Sequence, residues 1–110
     1  MPVSDEFIDY VIDQLATWAD VSVRKMFGGA GLYCDGVMFG LIADDIAYLK
    51  VDDSNRKHFE RAGSCPFNPY PDKDKTTVMS YYEIPVDILE NREQLAAWAE
   101  RSLAIARKKH

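Results

Sequence analysis

Histidine and cysteine are scarce in this chain of 110 residues, with two copies of each. Cys34 and Cys65 lie far apart and match no metal-binding or redox spacing, so both are expected as reduced thiols filling small gaps in a core. His58 is the only histidine away from the C-terminal end, and a lone imidazole makes neither a metal site nor a catalytic triad; it is expected at the surface of a short polar helix. Long apolar runs are missing too. The longest, residues 37–43, is far short of the ~20 residues of a membrane span. The first six residues lack a basic start followed by an apolar stretch, so no signal peptide is expected and the expected location is cytoplasmic. Positive charge is in deficit as well: the formal net charge of −5 argues against a self-sufficient, non-specific nucleic-acid binder. A chain of this length fits a single domain, residues 1–110, with little room for a large internal cavity.

What is present reads as alternating helix and strand signals. Ser4 is placed to cap a helix whose first turn carries Asp5 and Glu6, both favourable near the positive end of the macrodipole. Phe7, Ile8, Val11, Ile12, Leu15 and Trp18 then form one apolar stripe, with Asp9, Asp13 and Gln14 opposite. The β-branched run from Val21 predicts the end of this helix near residues 19–20. Residues 21–27 read as a strand with Val21, Val23, Lys25 and Phe27 on one face and Ser22, Arg24 and Met26 on the other. Glycines at 28, 29 and 31 interrupt it, and extended structure resumes over 32–34. Asp35-Gly36 suits a type I′ hairpin turn, 37–43 is the return strand, Asp44-Asp45 turns again, and 46–51 forms another strand.

A short helix containing Arg56, His58, Phe59 and Ala62 is predicted to stop at Gly63. Pro66, Pro69 and Pro71 exclude a central strand over 66–71. Residues 76–84 read as the last strand, 86–90 as one helical turn, and Asn91 with Gln94 as a capping box for a terminal helix. Leu95, Trp98, Ala99, Ser102, Leu103 and Ala106 mark that helix's inner face. Short connections make the strands antiparallel, and the order gives an α+β two-layer sandwich with helices on one face and the other sheet face partly open.

Few residues suggest chemistry. Gly28 to Gly31 preceded by Arg24-Lys25 invites an anion-binding reading, because small residues let backbone N–H groups approach a phosphate. No P-loop lysine follows, and a bulge or tight bend explains the glycines on backbone grounds alone. Asp44-Asp45 and Asp52-Asp53 sit at turns, where aspartate is locally favoured, and no EF-hand spacing surrounds them. Ser64 and Ser80 belong to no nucleophile elbow. Tyr81 and Tyr82 are adjacent on a strand, so one fills the core while the other is displayed for contact. Charge is uneven: residues 1–20 hold five acids and no base, whereas 91–110 hold five bases and two acids. This asymmetry suits packing of the first helix on the last, or a homodimer. Arg107, Lys108 and Lys109 offer an alternative nucleic-acid contact, although bases at a helix C-terminus are also favoured locally.

Several segments together resemble the N-terminal domain of the TfoX/Sxy family, regulators of bacterial competence for DNA uptake. The matching words are Met26-Phe27-Gly28-Gly29-Ala30-Gly31-Leu32-Tyr33, Asp35-Gly36-Val37-Met38-Phe39 and Leu41-Ile42-Ala43-Asp44-Asp45. Tyr48-Leu49-Lys50-Val51-Asp52 and Met79-Ser80-Tyr81-Tyr82-Glu83-Ile84-Pro85 extend the match. The resemblance implies an α-β(3)-α-β(2)-α order, similar to secretion chaperones, and a transcriptional co-regulator acting beside the cyclic-AMP receptor protein. It implies no catalytic residues and no cofactor. The expected function is therefore a non-enzymatic regulatory domain working through protein contacts, with transcription machinery or a DNA-bound regulator as partner. Candidate contact residues are Arg24, Lys25, Phe27, Gly28, Gly29, Gly31, Tyr81 and Tyr82. The alternatives are an anion or small-ligand site at the Gly28–Gly31 bend and weak nucleic-acid binding through the basic terminal helix.

Overall fold

Ser4 Oγ accepts the Phe7 N–H at 3.2 Å, and this cap starts α1 (Asp5–Leu15). A computed structural model of the chain describes residues 4–26, 29–66 and 81–108. The helix ends at Leu15, earlier than the apolar stripe predicts, because residues 16–18 close as a turn with the Trp18 N–H bonded to the Leu15 carbonyl. Four strands follow: β1 (Ser22–Met26), β2 (Gly29–Cys34), β3 (Val37–Ala43) and β4 (Ile46–Lys50). After α2 (Arg56–Arg61) come β5 (Tyr81–Glu83), α3 (Val86–Leu89) and α4 (Arg92–Lys108). Gln94 N–H bonds to Asn91 Oδ1 at 3.1 Å, which is half of the expected capping box.

The strands form one antiparallel meander in the order β1-β2-β3-β4-β5. Four strands thus precede α2 and one described strand follows it, whereas the resemblance divides five as three and two. The predicted strand over 76–84 is described only for 81–83, and Pro66 adds an isolated bridge to Tyr82. Asp35 and Gly36 both adopt positive φ, as do Asp44 and Asp45, so both tight turns follow the predicted chemistry.

One face of the sheet builds the core. Ala30, Leu32, Cys34, Ile42, Ala47, Leu49 and Ile84 are buried there against Val11 and Leu15 of α1 and Leu95, Ala99 and Leu103 of α4. A bulge places Leu32 opposite Gly40 and Tyr33 opposite Met38, leaving Phe39 as an extra residue. Phe39 is fully buried with Trp18 edge-on at 5.2 Å, and Gly40 falls on the same side. A Cβ at Gly40 would stand 2.6 Å from the Tyr48 carbonyl oxygen, so only glycine fits there.

Two expectations are corrected. Gln14, placed with the exposed acids by helical spacing, is only 8% exposed. Its Nε2 donates to the Leu89 carbonyl at 2.9 Å and its Oε1 accepts from Arg92 Nε at 3.1 Å, so hydrogen bonding makes burial tolerable. Of the two cysteines, Cys34 is buried, its thiol pushed up from the ordinary range by that burial, but Cys65 is exposed rather than core-filling.

Candidate interaction surface

Strand alternation sends successive side chains to opposite faces, and here it separates the candidate residues into two groups. On the face away from the core, Arg24, Gly31, Leu41, Tyr48 and Glu83 are consecutive register partners, one from each strand. Beside that row lie Ser22, Tyr33 and Met38 on β1 to β3, and Lys50 with Tyr81 on β4 and β5. Leu41, Tyr33, Tyr48 and Tyr81 are all half-buried. Arg24 and Tyr81 belong to the two opposite edge strands, about 19 Å apart across four strand spacings.

Two cations lie over two of these rings. The Arg24 guanidinium sits 5.3 Å from the Tyr33 centroid, and Lys50 Nζ sits 5.0 Å from that of Tyr81. Each contact is worth about 0.5–1 kcal/mol when solvent-exposed, and each holds a flexible side chain flat along the sheet. Burial raises the Tyr81 phenol above its ordinary range, with the Tyr33 phenol adding to the effect. The Tyr48 phenol is raised by burial first and then by Glu83 and Asp44. Both hydroxyls therefore stay protonated at neutral pH and can donate a hydrogen bond.

The other candidates go elsewhere. Tyr82 faces the core side, 6.0 Å from the Phe59 ring, so Tyr81 is the displayed member of the pair. Lys25 shares the face of Val23 and ion-pairs with Asp5 at 2.8 Å, a hydrogen bond that also raises its pKa. Arg24 and Lys25 thus diverge and do not converge on the glycines. Phe27 and Gly28 lie outside the described residues. A Cβ at Gly29 would stand 2.4 Å from the Ile42 carbonyl oxygen, which explains that glycine by close approach of two strands. Ala30 and Gly31 pair with β1 on one side and β3 on the other, so these two residues are interior strand. Arg107 pairs with Asp35 at 3.1 Å, Lys108 is exposed, and Lys109 lies outside the described residues.

Tyr33, Leu41, Tyr48 and Lys50 escaped the sequence reading as site residues. Their signal was present: within each strand they alternate with residues marked as apolar core. Which parity met the helices became visible only in three dimensions. Among the described residues, no group of three or more His, Cys, Asp or Glu is placed to hold a metal ion, and no helix is long and apolar enough to cross a membrane.

The family pattern described as the TfoX N-terminal domain matches residues 13–106. The chain is also 32% identical over 71 residues to an uncharacterized 12.7 kDa protein from the trpE 5' region of Spirochaeta aurantia. That alignment spans 64% of this chain and 60% of the relative.

Proposed function

Because the chain belongs to the TfoX N-terminal domain family, we propose that it is a non-enzymatic regulatory domain that works by protein contact, with the sheet face opposite the described helices as its docking surface. The observation that carries this reading is the row Arg24, Gly31, Leu41, Tyr48 and Glu83, flanked by Tyr33 and Tyr81. Tyrosine supplies broad contact area with a polar tip and few rotors to order, which is why it recurs at contact hot spots. Arg24 sets a cation against the Tyr33 ring on this face, although the chain as a whole carries −5. The fitting partner is thus an apolar or aromatic segment bearing an acidic side chain, on a transcription protein of the kind the family's regulatory role implies. The chain's overall acidity favours a carrier protein that is itself basic, by long-range steering.

Native crosslinking from extract tests this, comparing the wild type with Leu41→Lys, Arg24→Glu and a control change on α2, Lys57→Ala. One partner should be captured by the wild type and the control, at least tenfold less by the two sheet-face variants. Capture of nothing specific, or capture indifferent to Leu41→Lys and Arg24→Glu, overturns the reading.

A further inference from the structure

On the helix side of the sheet, away from the docking face, a pocket of about 150 Å³ opens between α2 and α4. Asn55, His58, Phe59, Ala97, Trp98 and Arg101 line it. Its floor is aromatic: Phe59 is fully buried, and Trp98 meets it edge-on at 4.7 Å. The His58 ring stands 6.2 Å from Trp98 on the outer side. Arg101 Nη1 lies 3.2 Å from His58 Nε2. A guanidinium has only donors, so in this contact it donates and Nε2 accepts, which requires a neutral imidazole protonated at Nδ1.

Arg101 differs from the paired arginines of this chain. Arg56, Arg92 and Arg107 each face a carboxylate, that of Asp53, Asp13 and Asp35 respectively. Among the described residues, Arg101 has no carboxylate within ion-pair distance, and its hydrogen-bonding partner is a neutral ring. Among the residues that line the pocket, Arg101 is thus a fixed cation standing over an apolar floor, an arrangement that attracts an anion.

We propose that this pocket binds a single planar aromatic ring bearing one carboxylate, with the ring against Trp98 and the acid on Arg101. A volume near 150 Å³ suits one six-membered ring, since cavities of about that size bind benzene, and it is too small for a nucleotide. The planar fork of Arg101 matches a carboxylate through two parallel hydrogen bonds. A free aromatic acid carries this group, and the C-terminal phenylalanine of a peptide offers the same two features, a ring and a carboxylate, joined through two carbons.

The test is an NMR titration read at the indole N–H signals. The two tryptophans separate the site from the rest of the fold, because Trp18 Nε1 is tied to Glu100 at 3.1 Å on another contact. Benzoate should shift the Trp98 indole and the amides of Ala97 and Arg101, saturate in the millimolar range, and leave the Trp18 indole in place. Benzyl alcohol and cyclohexanecarboxylate should each bind at least tenfold more weakly. Arg101→Gln, at an exposed position, should weaken benzoate at least tenfold, and Ala97→Phe should block it by filling the pocket. A dipeptide ending in phenylalanine, titrated in parallel, assigns the source: tighter binding than benzoate points to a peptide terminus, weaker binding to a free acid. Absence of localised shifts with both probes overturns the proposal, as does benzoate binding unchanged by Arg101→Gln or equalled by benzyl alcohol.

Discussion

Gln14 offers the sharpest test of how the helices are joined. Its side chain bridges three elements: Nε2 bonds the Leu89 carbonyl at the end of α3, and Oε1 takes a bond from Arg92 at the start of α4. Arg92 then reaches Asp13 on α1 at 2.7 Å. Replacing Gln14 by methionine keeps the length and apolar stem but removes both bonds and takes the donor from the buried Leu89 carbonyl. The lost bond and the desolvated carbonyl together predict a destabilisation of about 2–3 kcal/mol. Arg92→Met removes one bond to Gln14 and one half-exposed ion pair, which predicts about 1–1.5 kcal/mol. Asp13→Asn touches only the ion pair and should fall below about 0.5 kcal/mol.

These values do not add. In the double variant the Gln14–Arg92 bond is lost once, not twice, so its cost should be smaller than the sum of the singles by about 1 kcal/mol. Urea unfolding with an unchanged m-value is the assay, since a shifted midpoint at constant slope reports stability alone. A Gln14→Met variant within 0.5 kcal/mol of the wild type would refute the bridge. So would strict additivity with Arg92→Met within about 0.3–0.5 kcal/mol, the range seen for independent sites.

Two further outcomes separate backbone strain from close packing and fix the pH response. Gly36→Ala meets nothing within 4 Å and is opposed only by its φ of 79°, so it should cost about 1–2 kcal/mol; Gly29→Ala and Gly40→Ala push a methyl against a neighbouring strand's carbonyl and should cost about 3 kcal/mol or more, all by urea unfolding. Tyr48 and Tyr81 titrate above their unfolded value of 10.0, so the unfolded chain loses those protons first; their contribution is complete below pH 10 and falls as pH rises further. Unfolding midpoints measured on either side of pH 10 should show this decline, flattened by Tyr48→Phe and Tyr81→Phe; an equal slope in the Phe variants would remove these tyrosines as its cause.

Much of the fold was legible because its signals are local. Ser4 caps α1, Asp35-Gly36 and Asp44-Asp45 turn the hairpins with positive φ, and Gly63 ends α2 with φ of 75°. Each of these depends on neighbours within a few residues. Gln14 was misread because its burial depends on Leu89 and Arg92, more than seventy positions away. A separation of 52 positions likewise hid why Ser102 is polar yet fully buried, since it donates to the Lys50 carbonyl at 2.8 Å. At the candidate surface, alternation stated that Tyr81 and Tyr82 diverge but not which one meets the core. That choice is made by Phe59 on α2, a contact between elements.

The glycine-rich segment shows why composition misleads about chemistry. Glycines beside Arg24-Lys25 look like a phosphate loop only if the backbone is assumed free, yet Ala30 and Gly31 lie between two paired strands and Gly29 is dictated by the Ile42 carbonyl. Net charge misleads in the same way. The acidic first helix and basic last helix look like two ligand-attracting ends, but Asp13 pairs with Arg92 and Asp5 with Lys25. The C-terminal Arg107 is matched by Asp35 in the hairpin turn. All three pairs are largely exposed, so they do little for stability and mainly remove local charge excess. On the functional readings proposed above, what attracts a partner is not the total of −5 but cations set against rings: Arg24 over Tyr33 on the sheet face, and Arg101 beside Trp98 and His58. A cation held over an aromatic surface, rather than neutralised by a carboxylate, keeps its field available to an incoming acid. On these proposals, local pairing and not net charge is the property that would locate binding on this domain.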